Sequence, residues 1–305
     1  MAKAFVNQHI VPKRYLDRFA SEVDGKNIIG VRFCSNRSLH FFSESTSNVG
    51  YIRNFYDVRD KDDPKYWEHF FASEIDSLCG AEMDSIIAAA TLSRNNEVVL
   101  TKHAKEVLSK VIIAQIMRIP SAVEYVKGIY PEVERQVKEE ALSILPTELK
   151  SQYGEIIKNL NLDAQWQKEQ LFNLAFSPEN FDKYCRLLQE RLWVVLVNTQ
   201  RSNLPFITSD NPVLVEGIGR KEVGVFRNGL GTPTTCIFYP LTPTIAIANY
   251  PKAGFFRLAF DDLDGRKKLL NESNYVVTRN ARIVEQSYHH SFIPQPLFDK
   301  IKKRN

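Results

Sequence analysis

Helix-like and strand-like segments are separated along this 305-residue chain, and this separation limits the folds open to it. In residues 61–192, apolar positions recur every three or four residues, which is the spacing of amphipathic helices. From Trp193 onward, short apolar runs are bounded by Gly, Pro, Asn and Asp, a pattern typical of strands. A doubly wound sheet requires strands and helices in alternation, so this order favours an α+β fold.

Strand-like runs also occur before the helical segment. Residues 1–60 contain "NIIGVRF" and "SLHFFS", which predict a hairpin within a short α/β N-terminal unit. The runs after Trp193 predict an antiparallel or mixed C-terminal β region: "LWVVLVNT", "LPFITSD", "PVLVEGI", "CIFYPLT", "TIAIANY" and "NYVVTRNARIVEQS". No repeat or linker interrupts the chain. We therefore expect one elaborate domain over residues 1–305, in which segments 1–60, 61–192 and 193–305 share one core.

Composition narrows the class of protein. Hydrophobic residues at 44% and charged residues at 25% are ordinary for a soluble globular protein, and no apolar run is long enough to span a bilayer. The opening "MAKAFVNQH" lacks the apolar stretch of a signal peptide, and the four cysteines form no CxxC pair. We therefore expect a cytoplasmic protein with no membrane partner. A net charge of +4 neither implies nor excludes nucleic acid as a partner.

The stretch "NQHIVPKRYLDRF", residues 7–19, places a histidine directly before a helix. Pro12 suits the first helical turn, where its missing N–H is not needed, and His9 precedes it in an extended segment. The free N–H groups at a helix start favour an anion such as a phosphate or a carboxylate. The alternative is a buried histidine that anchors the N-terminal segment.

The stretch "QIMRIP" places Gln115 and Arg118 three residues apart on one face of a helix that Pro120 ends or kinks. The neighbouring face is apolar, so we expect Arg118 to point inward or into a cleft. A buried arginine needs an anion. Either Asp210 is its structural counter-ion, or the guanidinium binds a phosphate bidentately with Gln115 nearby.

The stretch "FITSDNPV" is a strand followed at once by polar residues, and such strand ends often carry functional sites. Asp210 is suited to act as a base, a metal ligand or an acceptor for Arg118, while Asn211 offers both a donor and an acceptor. The alternative is a polar turn. In that case Ser209, Asp210 and Asn211 bond to nearby backbone, and Pro212 stops the strand.

Four motifs in this order resemble DUF4238, a mainly bacterial family of unknown function. Its members open with His-x-Val-Pro-x-x-Tyr-Leu-x-x-Phe and continue with Gln-x-x-Arg-x-Pro, Thr-Ser-Asp-Asn-Pro-Val and Pro-Leu-Ser/Thr-Pro. The matching positions here are His9, Val11, Pro12, Tyr15, Leu16, Phe19, Gln115, Arg118, Pro120, 208–213 and 240–243. The resemblance implies a fold and a candidate site, but no reaction. The family's scattered occurrence in bacterial accessory genomes implies a role in defence or as a toxin.

A second, superficial resemblance concerns "HIVPK" followed by "NIIGVRFCSNRS", which is similar to the ββα-metal (HNH-type) nucleases. In those enzymes one histidine activates water and others help to hold a divalent metal against the phosphate. Here Asn7 and Gln8 stand where an acidic residue is expected, no Cys pair encloses the motif, and no third His follows at the usual spacing. What the resemblance implies is a nuclease that uses a divalent metal.

Two functional hypotheses follow. The first is a hydrolase of phosphate-containing substrates, such as a nuclease-like or phosphodiesterase-like effector, for which nucleic acid is one partner and a divalent metal one cofactor. The second is a non-catalytic ligand-binding or sensing module with a structural polar core. The first hypothesis divides the residues by role: His9, Asp210 and Asn211 are catalytic, and Gln115, Arg118 and Ser209 bind the substrate. Both hypotheses expect His9, Arg118 and Asp210 to lie close together.

Overall fold

The computed structural model describes residues 7–35, 38–59, 61–160, 163–200 and 203–303, and within them the chain has an α+β fold. Asn36 and Arg37 of the "CSNRS" stretch lie outside the described residues, as do the first six and the last two residues.

The described strands form three sheets. A small antiparallel sheet pairs β1 (Asn7–His9) with β5 (Tyr51–Arg53). A second sheet contains β2 (Ser21–Val23), β3 (Lys26–Ser35), β4 (Ser38–Ser45), β7 (Thr208–Ser209) and β12 (His290–Ile293). The central sheet contains β6 (Leu192–Asn198), β8 (Leu214–Gly217), β9 (Thr235–Pro240), β10 (Ile245–Tyr250) and β11 (Arg266–Leu270), in the order β11-β6-β10-β9-β8. It is mixed, because β11 runs parallel to β6 while its other pairs are antiparallel.

Helices dominate the middle of the chain, as predicted. The helices are α1 (Lys13–Asp17), α2 (Tyr66–Phe70), α3 (Ala81–Leu92), α4 (Lys102–Met117), α5 (Pro120–Ile144), α6 (Thr147–Lys158), α7 (Ala164–Ala175), α8 (Pro178–Gln189), α9 (Val225–Asn228), α10 (Gly254–Phe260), α11 (Ser273–Gln286) and α12 (Gln295–Lys302). Short 3-10 turns and one π-helical turn, Phe71–Ile75, supplement them. Among the described residues, no helix combines the length and apolar character needed to cross a membrane.

One expectation about the β structure needs correction. The segment "NYVVTRNARIVEQS" was expected to be a strand, but it forms α11. Its β-branched residues suggested a strand, yet Val276 and Ile283 lie seven residues apart and are both buried, which is a helical spacing. The predicted N-terminal hairpin is present, and β12 of the C-terminal segment pairs with its strand β3.

The central sheet is buried on both faces. On β6, Trp193 and Val195 belong to the larger apolar cluster, while Val194 and Leu196 belong to a second cluster that includes residues of α11 and α12. Burial on both faces explains why "LWVVLV" is continuously apolar rather than alternating. The larger cluster contains residues of all three predicted segments. The single-domain organisation over residues 1–305 stays a prediction.

The junction between α4 and α5 positions two of the predicted site residues. Helix α4 ends at Met117, and α5 begins at Pro120, so the proline starts a new helix rather than kinking an old one. Ile119 is extended (φ −90°, ψ 157°), as steric contact with a following proline requires. Gln115 therefore lies in the last turn of α4, and Arg118 lies at its C-terminal cap.

Candidate functional site

The side chain of Arg118 is 1% exposed, and its donors are used within the protein. Its Nη1 donates to Asp76 Oδ1 at 2.6 Å, while Nε and Nη2 donate to Gln115 Oε1 at 3.3 and 3.0 Å. Its Cζ lies 5.2 Å from the centre of the Phe71 ring. The predicted Arg118–Asp210 pair is therefore wrong: the buried guanidinium finds its anion in Asp76, a carboxylate that the packing of α2 brings close.

Asp76 reaches this position through an irregular stretch of chain. The π-helical turn Phe71–Ile75 follows α2, and Asp76 begins the 3-10 turn after it. Phe71 and Ile75 are buried, whereas the side chain of Asp76 remains 28% exposed. Turns of this kind often occur at functional sites. The sequence signal for Asp76 was its place beside Ile75, at the end of an apolar face, and nothing in the pattern distinguished it from other acidic residues.

Charges around this pair shift the pKa values of their neighbours. Burial opposes the charge of Arg118, but Asp76 more than offsets it and raises the pKa of the guanidinium. On α2, burial and the negative charge of Asp76 raise the pKa of the Glu68 carboxyl. Arg118 therefore stays charged, and Glu68 keeps its proton to a higher pH than an ordinary glutamate.

His9 is a predicted site residue with a buried polar atom that lacks a hydrogen-bond partner. It is half-buried on β1, with its ring edge-on to Tyr51 at 6.0 Å between centroids. Its Nε2 is buried and has no hydrogen-bond partner among the described residues. Burial lowers the pKa of His9, with Lys13 and Arg118 adding to the effect and Asp76 opposing it. His9 is therefore mostly neutral at pH 7.

Gln115 connects the Arg118 network to the His9 segment. Its Nε2 donates to the backbone oxygen of Ile10 at 2.8 Å, while its Oε1 accepts from Arg118. The structure therefore brings His9, Gln115 and Arg118 into one region around Asp76. Asp210, which was expected to join His9 and Arg118, is bonded elsewhere.

Asp210 and Ser209 have a different environment. The Asp210 carboxylate is 1% exposed and accepts hydrogen bonds from the backbone N–H groups of residues 288–290, each at 2.7 Å. These N–H groups lie where the chain turns from α11 into β12 and need an acceptor. Ser209 Oγ donates to the backbone oxygen of Asn211 at 2.8 Å. For these two residues the geometry matches the polar-turn alternative.

Asn211 lies on the wall of a cavity of about 280 Å³. Its Nδ2 donates to the backbone oxygen of Gln286 at 3.2 Å and to Ser121 Oγ at 3.4 Å. In return, Gln286 Nε2 donates to the backbone oxygen of Asn211 at 2.6 Å. Sequence reasoning missed Gln286 because its segment was expected to be a strand. The roles predicted for the six site residues stay predictions.

Across the described ranges, no group of three or more His, Cys, Asp or Glu side chains is placed to hold a metal ion.

A family model described as "Protein of unknown function (DUF4238)" matches residues 7–293. This range includes all four sequence motifs, the Arg118–Asp76 pair and the cavity at Asn211. No curated protein and no solved structure matches the chain.

Proposed function

We propose that this chain, which belongs to the DUF4238 family, is a hydrolase whose acid–base centre is His9 beside the Arg118–Asp76 pair. The observation that carries the proposal is the buried, unpartnered Nε2 of a neutral histidine. An unpaired buried nitrogen costs free energy, and a catalytic role is one of the reasons for which a folded protein keeps such a group. A histidine that only anchored the segment would be expected to use this nitrogen in a hydrogen bond.

The neighbours of His9 suit a general base. A neutral imidazole is in the protonation state that removes a proton from an attacking water. The imidazolium that forms is stabilised by the negative charge of Asp76, which already acts to raise the pKa of His9. Arg118 is a positioning residue that bonds to Asp76, and Gln115 in turn holds Arg118.

We retain a phosphate-containing substrate in this proposal, but a different basic residue would bind the phosphate. Arg118 is 1% exposed, and each of its three side-chain nitrogens bonds to Asp76 or Gln115, so it is not placed to meet a phosphate from solvent. The positive charge of Lys13 also lowers the pKa of His9, and the Lys13 side chain is 42% exposed. It pairs with Asp17 on the same helix, and an exposed pair worth about 0–1 kcal/mol is readily exchanged for a phosphate. Nucleic acid is the first such substrate to test, since a nuclease would fit a defence or toxin role.

The test measures hydrolysis of single-stranded RNA, duplex DNA and bis(p-nitrophenyl) phosphate by the purified protein. We expect His9→Gln to lower the rate by at least about 100-fold, since general acid–base catalysis contributes roughly 10²–10⁴-fold. The melting temperature should stay within a few degrees. His103→Gln is the matched control, because that histidine is exposed on α4. Equal losses in both variants would contradict the proposal, as would the absence of hydrolysis by the unmodified protein.

A second candidate function is a non-catalytic binding module. The bonds from all three side-chain nitrogens of Arg118 and the three backbone bonds to Asp210 favour it, because bonded buried groups stabilise a fold without doing chemistry. This candidate predicts no hydrolysis of any of the three substrates. It also predicts that His9→Gln affects only the stability of the protein.

A further inference from the structure

The cavity at Asn211 lies on the other side of the α4–α5 junction from the His9 region. Ile116 and Ile119 line it, while Gln115 and Arg118 of the same junction bond toward Ile10 and Asp76. We propose that this cavity binds a small planar heterocycle that carries an anionic group, such as a nucleoside monophosphate. This proposal concerns a separate site and does not rest on hydrolysis at His9.

The walls of the cavity suit a flat ligand. Tyr125 and Phe226 are half-buried in its lining and stack on each other, with ring centroids 4.2 Å apart and planes 11° from parallel. The remaining lining is largely aliphatic, including Val213 and Val215. Apolar and aromatic walls with few polar groups are the usual composition of a small-molecule site. Every nucleobase presents a flat face that can pack on such a surface.

Gln286 provides the polar group that orients the ligand. Its side chain is 9% exposed, and its Nε2 is held by the backbone oxygen of Asn211. This bond fixes which end of the amide is the acceptor. Gln286 Oε1 is buried and has no partner among the described residues. A ring N–H or amino group of a heterocycle would supply the donor that this oxygen lacks.

The unpaired charge at the edge of the cavity is positive. Arg227 is exposed in the lining, and its guanidinium makes no ion pair within the described parts of the chain. Glu285, also in the lining, is paired with Arg282 at 2.7 Å. An unpaired guanidinium favours a phosphate or carboxylate on the ligand. The cavity, at about 280 Å³, lies just below the roughly 300–1,000 Å³ typical of drug-sized ligands, so a ring system fits inside with its anionic group outside.

Isothermal titration calorimetry with AMP, GMP, CMP and UMP tests the proposal on the full chain, with the matching nucleosides and inorganic phosphate for comparison. We expect at least one monophosphate to bind saturably at 1:1. Its nucleoside should bind at least tenfold more weakly, and inorganic phosphate should not saturate. Gln286→Leu should weaken binding at least tenfold, because it removes the acceptor and keeps the size of the side chain.

Matched variants separate this site from general effects. Gln295→Leu is the control for Gln286→Leu, because Gln295 Oε1 is also buried and unpartnered but does not line the cavity. Arg227→Gln should lower the affinity for the monophosphate to that of the nucleoside, while Arg257→Gln, at an exposed position on α10, should not. If Gln286→Leu does not fold, Val223→Phe narrows the cavity from a half-exposed position and should weaken binding similarly.

Three outcomes would overturn the proposal. They are the absence of saturable binding by all four monophosphates, equal losses in Gln286→Leu and Gln295→Leu, and phosphate binding as tight as that of the monophosphate. Binding is measured without turnover, so its failure leaves the hydrolase proposal intact. Inactivity of the protein on phosphodiesters would likewise leave this site intact.

Discussion

The two faces of the α4–α5 junction differ in how completely their polar groups are satisfied. On one face, the donors of Arg118 bond to Asp76 and Gln115, and Gln115 bonds onward to Ile10. On the other face, an apolar cavity lies beside Gln286, whose Oε1 has no partner in the described chain. Both faces are buried and both carry family motif residues, and the second places an unpartnered acceptor in the lining of a cavity.

This difference shows that burial of a polar motif residue does not by itself identify a site. Arg118 and Asp210 are both about 1% exposed, but each is bonded to groups of the protein that require it. Incomplete hydrogen bonding, as at His9 and Gln286, is the more informative observation, because an unpaired buried group lowers stability and persists where something compensates for it.

The largest expected effect is on stability, at Asp210. We expect Asp210→Ala to lower the free energy of unfolding by about 4 kcal/mol, because three backbone N–H groups lose a charged acceptor worth roughly 1.5 kcal/mol each. Urea denaturation measures it. Asp210→Asn retains one acceptor oxygen and should lose less. A loss below about 1 kcal/mol for the alanine variant would show that water replaces the carboxylate.

Asp76→Ala should lower the free energy of unfolding by about 3 kcal/mol, the lower end of the roughly 3–5 kcal/mol for breaking a buried pair, because Asp76 is 28% exposed. A double-mutant cycle with Arg118→Met checks the pairing. Coupling of at least about 1 kcal/mol is expected between Arg118 and Asp76, whereas Arg118→Met and Asp210→Ala should be additive within about 0.5 kcal/mol. Coupling between Arg118 and Asp210, with additivity between Arg118 and Asp76, would instead support the Arg118–Asp210 pair expected from the sequence.

Substituting one glutamine on each face compares how much the two faces contribute to stability. Gln115→Leu should lower the free energy of unfolding by about 2 kcal/mol, because it removes an acceptor from Arg118 and a donor from Ile10. Gln286→Leu should change it by less than about 1 kcal/mol, because losing one bond to Asn211 is offset by losing an unpaired oxygen. Both are measured by denaturation, and equal losses would remove the distinction between the faces.

The smallest expected effect is a pH dependence from His9. Burial lowers its pKa below the ordinary 6.5, so the unfolded chain binds this proton more readily than the folded chain does. The stabilisation is complete above about pH 6.5 and is lost as the pH falls toward the lowered folded-state pKa. Denaturation between pH 7.5 and 5 should therefore show less loss of stability in His9→Gln than in the unmodified protein. An unchanged profile would mean that His9 titrates normally.

The fold was largely predictable because its signals are local. Helical periodicity predicted the middle of the chain, and short bounded runs predicted β3, β4 and β6 to β10, but not β11 or β12. Helix α11 was missed because its β-branched residues favour a strand, while its buried pair, Val276 and Ile283, is satisfied by packing as a helix. That error also concealed Gln286.

For the site, the sequence by itself determined which buried groups require a partner. The tertiary structure decided which residues supply those partners. The sequence places His9 before a proline-started helix, ends α4 just before Pro120, and requires an anion for a buried Arg118. Which carboxylate supplies that anion depended on how α2 and its π-helical turn pack against α4. Asp76 lies 42 residues away along the chain, and no local pattern distinguishes it from Asp210. The physical reason is that burial and capping follow from neighbouring residues, whereas pairing between buried charges depends on the geometry of chain segments that meet only in the folded protein.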